Sequence, residues 1–177
     1  CLGTGFFAKL GGEIGELTFD HNTVDQWQNF FTLYVADVWP DGEAAKRKAK
    51  FAVEQLIVTN TLAYHREYGV FGELGGIGTP ALDAMCTSYH WTHNVLAGNA
   101  PFPYPDVTWK TPVDVHAAQF TPAYQLVEGS VYRKAGIDGK DLGYLVENGG
   151  GTEPPAKLPM TVQWDGKTFS GVLEERR

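Results

Sequence analysis

The sequence predicts an α+β fold: a helical N-terminal half, about four helices in all, then an aromatic proline-rich arm and a C-terminal β-hairpin. Apolar residues recur at helical spacing in the first part of the chain, and from Ala100 onward prolines interrupt it. We therefore expect a single globular domain over residues 1–177. Residues 20–98 are predicted to be mainly helical, and residues 99–177 to mix strand, loop and one helix.

The first two predicted helices follow one another directly. Thr23 and Gln26 form a capping box of the Thr-x-x-Gln form, and the first helix ends just before Pro40 because proline cannot continue it. The second begins near Asp41 and meets no breaker before Gly69, a natural helix stop. The first carries one broad apolar face, which is predicted to face the core, and the second is basic in its first turns and apolar in its second half.

Two further helices are predicted from their start signals. Thr79 is a candidate N-cap with Pro80 at the first helical position, and this third helix runs to about Ala97. The fourth, shorter helix is predicted over residues 121–134, where Thr and Pro again open the segment and a glycine follows it.

Strands are predicted only near the C-terminus. Residues 142–147 are a candidate strand. Residues 160–164 and 167–173 flank Asp165-Gly166, a dipeptide that favours the type I′ turn of a two-residue hairpin. This hairpin is the clearest local signal in the chain.

Composition excludes several classes of protein. The chain is 43% hydrophobic, 13% aromatic and 20% charged, which is typical of a globular domain with an aromatic core. No stretch approaches the ~20 apolar residues that a membrane-spanning helix needs. The net charge of -7 disfavours non-specific binding to nucleic acid, so we expect no nucleic-acid partner.

The first residue is a cysteine, which has three interpretations. Cys1 could carry the lipid anchor of a bacterial lipoprotein, or form a disulfide with Cys86 in a processed, secreted chain. It could also be the nucleophile of an N-terminal-nucleophile amidase, with its own α-amino group as the base. The first two interpretations predict an extracytoplasmic location: secreted, periplasmic or lipid-anchored at Cys1.

The predicted third helix suggests a metal site. At helical spacing Asp83, His90 and His93 fall in one polar sector, and two histidines three residues apart can share an ion such as Zn, Cu or Fe. His65 and His116 are candidates to join them from elsewhere in the chain. The alternative is that this sector is the ordinary solvated face of an amphipathic helix.

The leading functional hypothesis is a binding or assembly subunit. Phe102, Tyr104 and Trp109 lie among the prolines of the arm, and exposed aromatic rings there could contact a protein partner, a small ligand or a second subunit. The metal-binding protein or metal-dependent enzyme is the first alternative, and the cysteine amidase is the second. Whether the chain is an enzyme is left open at this point.

Overall fold

The computed structural model describes residues 2–38, 47–98, 102–105, 108–111, 126–143, 158–164 and 167–173. Within these residues the backbone is mostly strand, with one short helix. The strands are β1 (Leu2–Gly11), β2 (Ile14–Asp20), β3 (Thr23–Tyr34), β4 (Asp37–Val38), β5 (Arg47–Lys48), β6 (Val53–Thr59), β7 (Leu62–Tyr64), β8 (Gly69–Gly72), β9 (Gly76–Ile77), β10 (Cys86–Thr92), β11 (Asn94–Ala97), β12 (Thr108–Thr111), β13 (Leu158–Trp164) and β14 (Lys167–Leu173), and the helix is α1 (Thr79–Met85).

The prediction of a helical N-terminal half, and with it the α+β class, is wrong. The first predicted helix contains β3 and β4, and the second contains β5, β6 and β7. Of the third only α1 is helical, because the chain becomes extended at Cys86 and continues as β10 and β11. Strands that are buried in a parallel sheet have near-continuous apolar runs, and in short segments such runs imitate one face of a helix.

Most of the strands stack in parallel, one coil of the chain upon the next. β2, β6 and β10 lie side by side, with Ile14 paired to Val53 and Val53 to Cys86. The start of β3 pairs with β7, which pairs with β11, and β12 follows β11. The rest of β3 lies between β1 and β8, again in parallel. Stacked coils of this kind make a short parallel β-helix.

Each coil turns the same corner between its first and second strands. The corners are His21-Asn22, Asn60-Thr61 and His93-Asn94, and we call them the turn stack. Their first residues have φ values of 50°, 52° and 53°, in the left-handed region. Asparagine and histidine enter that region more readily than most residues, whereas a continuing α-helix cannot contain it. The corners at Asn60 and His93 are therefore incompatible with the predicted second and third helices.

The main core lies inside the coils and is strongly aromatic. Leu17 and Phe19 of β2 point into it, as do Leu56 and Val58 of β6. Phe30 is fully buried, and its ring lies 5.3 Å from Phe7 in a stacked pair. Burial of a side chain of this size contributes about 1.5–3 kcal/mol, which makes this cluster the main source of stability.

A second, smaller core lies outside the coils. Leu62 and Val95, on β7 and β11, are completely buried although they point away from the main core. Tyr132 and Leu142 cover them, and both belong to residues 126–143, which we call the strap. The strap contains turns but no helix, so the predicted fourth helix is wrong over residues 126–134. Residues 142 and 143, the described part of the predicted strand 142–147, are not in a strand either. Residues 121–125 and 144–147 lie outside the described part.

The C-terminal hairpin has the antiparallel pairing that the sequence predicts. β13 pairs with β14 from Leu158–Leu173 to Trp164–Lys167, and its end also pairs with β2. The hairpin therefore continues the sheet of β2, β6 and β10 beyond β2. In the described part of the chain there is no helix with the length and hydropathy needed to cross a membrane.

Candidate binding surface

The residues predicted to bind a metal do not converge. His90 is exposed on β10, whereas His65 is completely buried, with its ring stacked 5.9 Å from Phe102. Asp83 is exposed on α1 and accepts a 2.8 Å hydrogen bond from the Tyr89 hydroxyl. Among the described residues no three His, Cys, Asp or Glu side chains are grouped closely enough to hold an ion, which corrects the metal-binding prediction.

His93, the other predicted metal ligand among the described residues, adds nothing to such a group. His93 is half-buried at a corner of the turn stack, and its Nδ1 atom lies 2.7 Å from the Thr92 hydroxyl oxygen. The helical spacing that was to bring His90 and His93 together does not exist, because one lies on a strand and the other at its corner. His116 lies outside the described residues.

Cys86 is a buried free thiol, so the predicted disulfide with Cys1 is not observed. Burial raises the pKa of Cys86 to about 12, which keeps the sulfur protonated and unreactive at neutral pH. Cys1 itself lies outside the described residues. The amidase and lipid-anchor interpretations of Cys1 remain predictions.

The described part of the aromatic arm packs onto the protein. Tyr104 is 7% exposed and belongs to the main core, where its ring stacks 6.4 Å from Trp91. Its hydroxyl accepts a hydrogen bond from the Val70 amide at 3.2 Å, and burial raises its pKa above the ordinary value for tyrosine. Phe102 is half-buried against His65. The side chain of Trp109 is not among those described.

A polar network joins the first two corners of the turn stack. The Asp20 carboxylate accepts hydrogen bonds from the Thr59 hydroxyl at 2.6 Å and from the Asn60 amide at 2.8 Å. His21 Nδ1 lies 3.0 Å from its other oxygen. Burial alone would raise the pKa of Asp20, but the hydrogen bonds from His21, Thr59 and Asn60 outweigh burial and lower it to about 2.

The same corner holds the strap in place. The Asn60 backbone carbonyl accepts a hydrogen bond from the Gly143 amide at 2.7 Å, and the Asn60 side-chain oxygen accepts one from the Ile137 amide at 2.9 Å. His21 Nε2 lies 3.5 Å from the Asp138 carboxylate. Asn60 thus uses its backbone and both ends of its side chain to join two coils to the strap. Apart from His21 Nε2, these groups satisfy one another, which indicates a structural role.

The outer side of β2, β6 and β10 carries mostly exposed side chains among the described residues. We call it the polar face. Residues along a strand alternate between its two sides, so the neighbours of the buried core residues point outward. In register across the three strands, the outward rows are Glu16, Gln55 and Ser88, then Thr18, Ile57 and His90. Of these only Thr18 and Ile57 are half-buried, and the other four are exposed.

The polar face offers carboxylate, amide, hydroxyl and imidazole groups on a regular grid. Neighbouring strands lie about 4.8 Å apart, so equivalent side chains on successive coils form straight rows. The extended sheet fixes the spacing between the rows, while the side chains themselves reach into solvent. Among the residues that the structure describes, no ion pair or hydrogen bond engages the carboxylate of Glu16 or the amide of Gln55. Their hydrogen-bonding capacity is available to a ligand.

The residues of the polar face, apart from His90, were not singled out from the sequence. A repeat across the three coils would have indicated them. Residues 14–24, 53–63 and 86–96 each have a large apolar residue at the fourth and sixth positions and Asn or His at the eighth. The fifth position of this repeat points outward, which gives one row of the polar face. The repeat is short and its spacing is unequal, so it does not stand out in the sequence.

Comparison with protein-family models, with curated proteins and with solved structures finds no match to this chain.

Proposed function

We propose that this chain is a binding domain and that the polar face is its contact surface. The observation that carries the proposal is the set of outward side chains held in register on three parallel strands, with the Glu16 carboxylate and the Gln55 amide unengaged within the described chain. Stacked-coil proteins commonly bind through such extended regular surfaces. The extracytoplasmic location predicted from Cys1 is part of the same proposal.

The contact surface is placed on the polar face and not on the aromatic arm. Tyr104 is buried in the main core, so its ring is not available to a partner without unfolding the arm. The other outer strand surface, formed by β7 and β11, is covered by the strap. The polar face combines regular geometry with exposure, which neither of these surfaces does.

The chemistry of the polar face favours a neutral ligand rich in hydroxyl groups. Carboxylate and amide oxygens accept hydrogen bonds from hydroxyl groups, and the Gln55 side-chain amide can also donate. The Ser88 hydroxyl already donates to the Glu54 backbone carbonyl at 3.2 Å, so it offers a ligand only acceptor capacity. Ile57, half-buried in the central row, gives an apolar patch between polar neighbours. Sugars present polar edges and apolar faces together, so a glycan chain lying across the strands fits this arrangement.

A glycan array probed with the purified protein tests the proposal. We expect binding to at least one neutral glycan, and we expect Gln55→Ala and His90→Ala to reduce that binding while leaving the thermal unfolding temperature unchanged. Gln28→Ala is the matched control, because Gln28 is exposed on β3 outside the polar face. Binding that survives both polar-face substitutions, or that falls equally in the control, would show that the contact surface lies elsewhere.

A further inference from the structure

The sheet that carries the polar face ends at β10. Within the described chain β10 pairs only with β6 and is the last strand in the order β10-β6-β2-β13-β14. The backbone groups on the outer edge of such a strand can pair with a further strand, and soluble proteins commonly protect the edge with charged side chains. The sequence of β10, Cys86–Thr92, contains no Asp, Glu, Lys or Arg. This edge therefore depends on another part of the chain for its protection.

The next segment in the order of the coils belongs to the arm. Thr108 of β12 pairs with Asn94 of β11, and counting back from this pair makes residues 102–105 the counterparts of residues 88–91 on β10. A complete fourth coil would place a strand there. Residues 102–105 form no strand, and Pro103 and Pro105 have no N–H group to donate to β10. We call residues 102–105 the end cap.

The end cap is attached to several elements around the open end of the third coil. The Tyr104 ring stacks 6.4 Å from the ring of Trp91 on β10, and the Tyr104 hydroxyl accepts a hydrogen bond from the Val70 amide at 3.2 Å. The Pro103 carbonyl accepts a hydrogen bond from the Thr79 amide, at the start of α1, at 2.9 Å. These contacts hold the end cap across the end of the main core.

A glycine allows the end cap to approach this closely. Gly78 has a φ value of 75°, and a Cβ atom at this position would overlap the Pro103 carbonyl oxygen. Gly76, on β9, has a similar φ value of 86°, but a Cβ atom there would meet no atom of the described chain within 4 Å. Alanine at either position imposes a left-handed backbone on a residue with a side chain. Only alanine at position 78 also pushes the end cap away.

We propose that the outer edge of β10 is a self-association surface for a second copy of this chain, and that the end cap keeps this surface closed. When the end cap is displaced, the β10 strands of two copies pair in antiparallel fashion about a two-fold axis, each through the same edge. The absence of Asp, Glu, Lys and Arg from β10 means that no like charges of the strand meet across the axis. The second copy also covers the ring of Trp91 in place of the displaced Tyr104 ring.

Sedimentation equilibrium of the full chain over a series of protein concentrations measures this association. We expect the unmodified chain and the matched control Gly76→Ala to remain monomers at concentrations at which Gly78→Ala approaches the mass of two chains. Adding Ser88→Lys to Gly78→Ala should restore the monomer, because Ser88 is exposed on β10 and a lysine there places a charge beside the pairing edge.

Tyr104→Phe is a second variant, which loosens the end cap without altering Gly78. It keeps the buried ring and removes only the hydroxyl that accepts the Val70 amide hydrogen, so it should also associate, although less than Gly78→Ala. The proposal is overturned if neither variant associates more than Gly76→Ala, if Ser88→Lys leaves the association unchanged, or if the unmodified chain associates equally. A mass that continues to rise beyond two chains would overturn the two-fold pairing, since it would indicate an open series of copies.

Discussion

Replacing Asp20 by asparagine should weaken the joint between the first two coils by a predictable amount. The Asp20 pKa of about 2, against an ordinary 3.8, corresponds to about 2.5 kcal/mol of preferential stabilisation of the ionised form. The carboxylate side chain is 48% exposed, so solvent screening reduces the contribution that can be measured to about 1 kcal/mol. Asp20→Asn should therefore lower the free energy of unfolding by about 1 kcal/mol at pH 7.

The pH dependence of the difference in unfolding free energy between Asp20→Asn and the unmodified chain is the sharper test. The pKa is lower in the folded chain, so the stabilisation is fully present above about pH 4 and is lost as the pH falls through about 2. Urea unfolding of both chains between pH 2 and pH 7 measures the difference. Glu16→Gln is the control, since Glu16 is exposed on the same strand. A difference that is absent at pH 7, or that does not shrink toward pH 2, would refute the assigned role of Asp20.

Three further outcomes follow from burial and backbone geometry. Cys86 should resist iodoacetamide at pH 8 in the folded chain and react after unfolding in urea, as followed by intact mass, because burial raises its pKa to about 12. Phe30→Ala should lower the free energy of unfolding by about 3–5 kcal/mol in denaturant titrations, since its fully buried ring contacts several other aromatic rings. Asn60→Ala should cost about 1–3 kcal/mol, because the left-handed backbone and the lost amide bonds both penalise it, and the protection of the Ile137 amide in hydrogen exchange should fall with it.

Local signals in the sequence predicted some elements correctly. The hairpin β13–β14 was found because Asp165-Gly166 separates two runs rich in β-branched and apolar residues, and both strands are adjacent in the chain. The start of α1 was found to within one residue, because Pro80 lies in the first turn of the helix, but the N-cap is Gly78 and not the predicted Thr79. In both cases the residues that decide the structure lie within a few positions of one another.

The parallel coils could not be predicted in the same way. The run of apolar residues in β6 has no sequence-adjacent partner; its neighbours β2 and β10 are each a full coil away. The apolar spacing of a short buried strand fits a helix equally well, and only pairing at long range decides between them. The only local indication against a helix was the residue type at positions 60 and 93, since Asn and His both tolerate the left-handed backbone that a helix cannot contain.

The candidate binding surface follows from the same long-range pairing. Asp83, His90 and His93 would share a side only if the chain were helical, and an extended chain separates them. Gln55 and Ser88 become neighbours only through the register of β6 and β10. The residues of a contact surface built across coils are therefore far apart in the sequence and form no local motif. Only His90 could be singled out, because a histidine is a candidate functional residue by its type alone.

The spacing between paired strands also has a kinetic consequence. The first two coils form only when Ile14 pairs with Val53, and no short turn brings these two residues together. The entropy of closing so long a loop is lost before any pairing compensates for it, so contact order is high and folding is expected on the millisecond-to-second scale. Once β2 and β6 are paired, β10 can pair with the free edge of β6, which is already ordered. Nucleation between β2 and β6, not elongation, should set the folding rate of this chain.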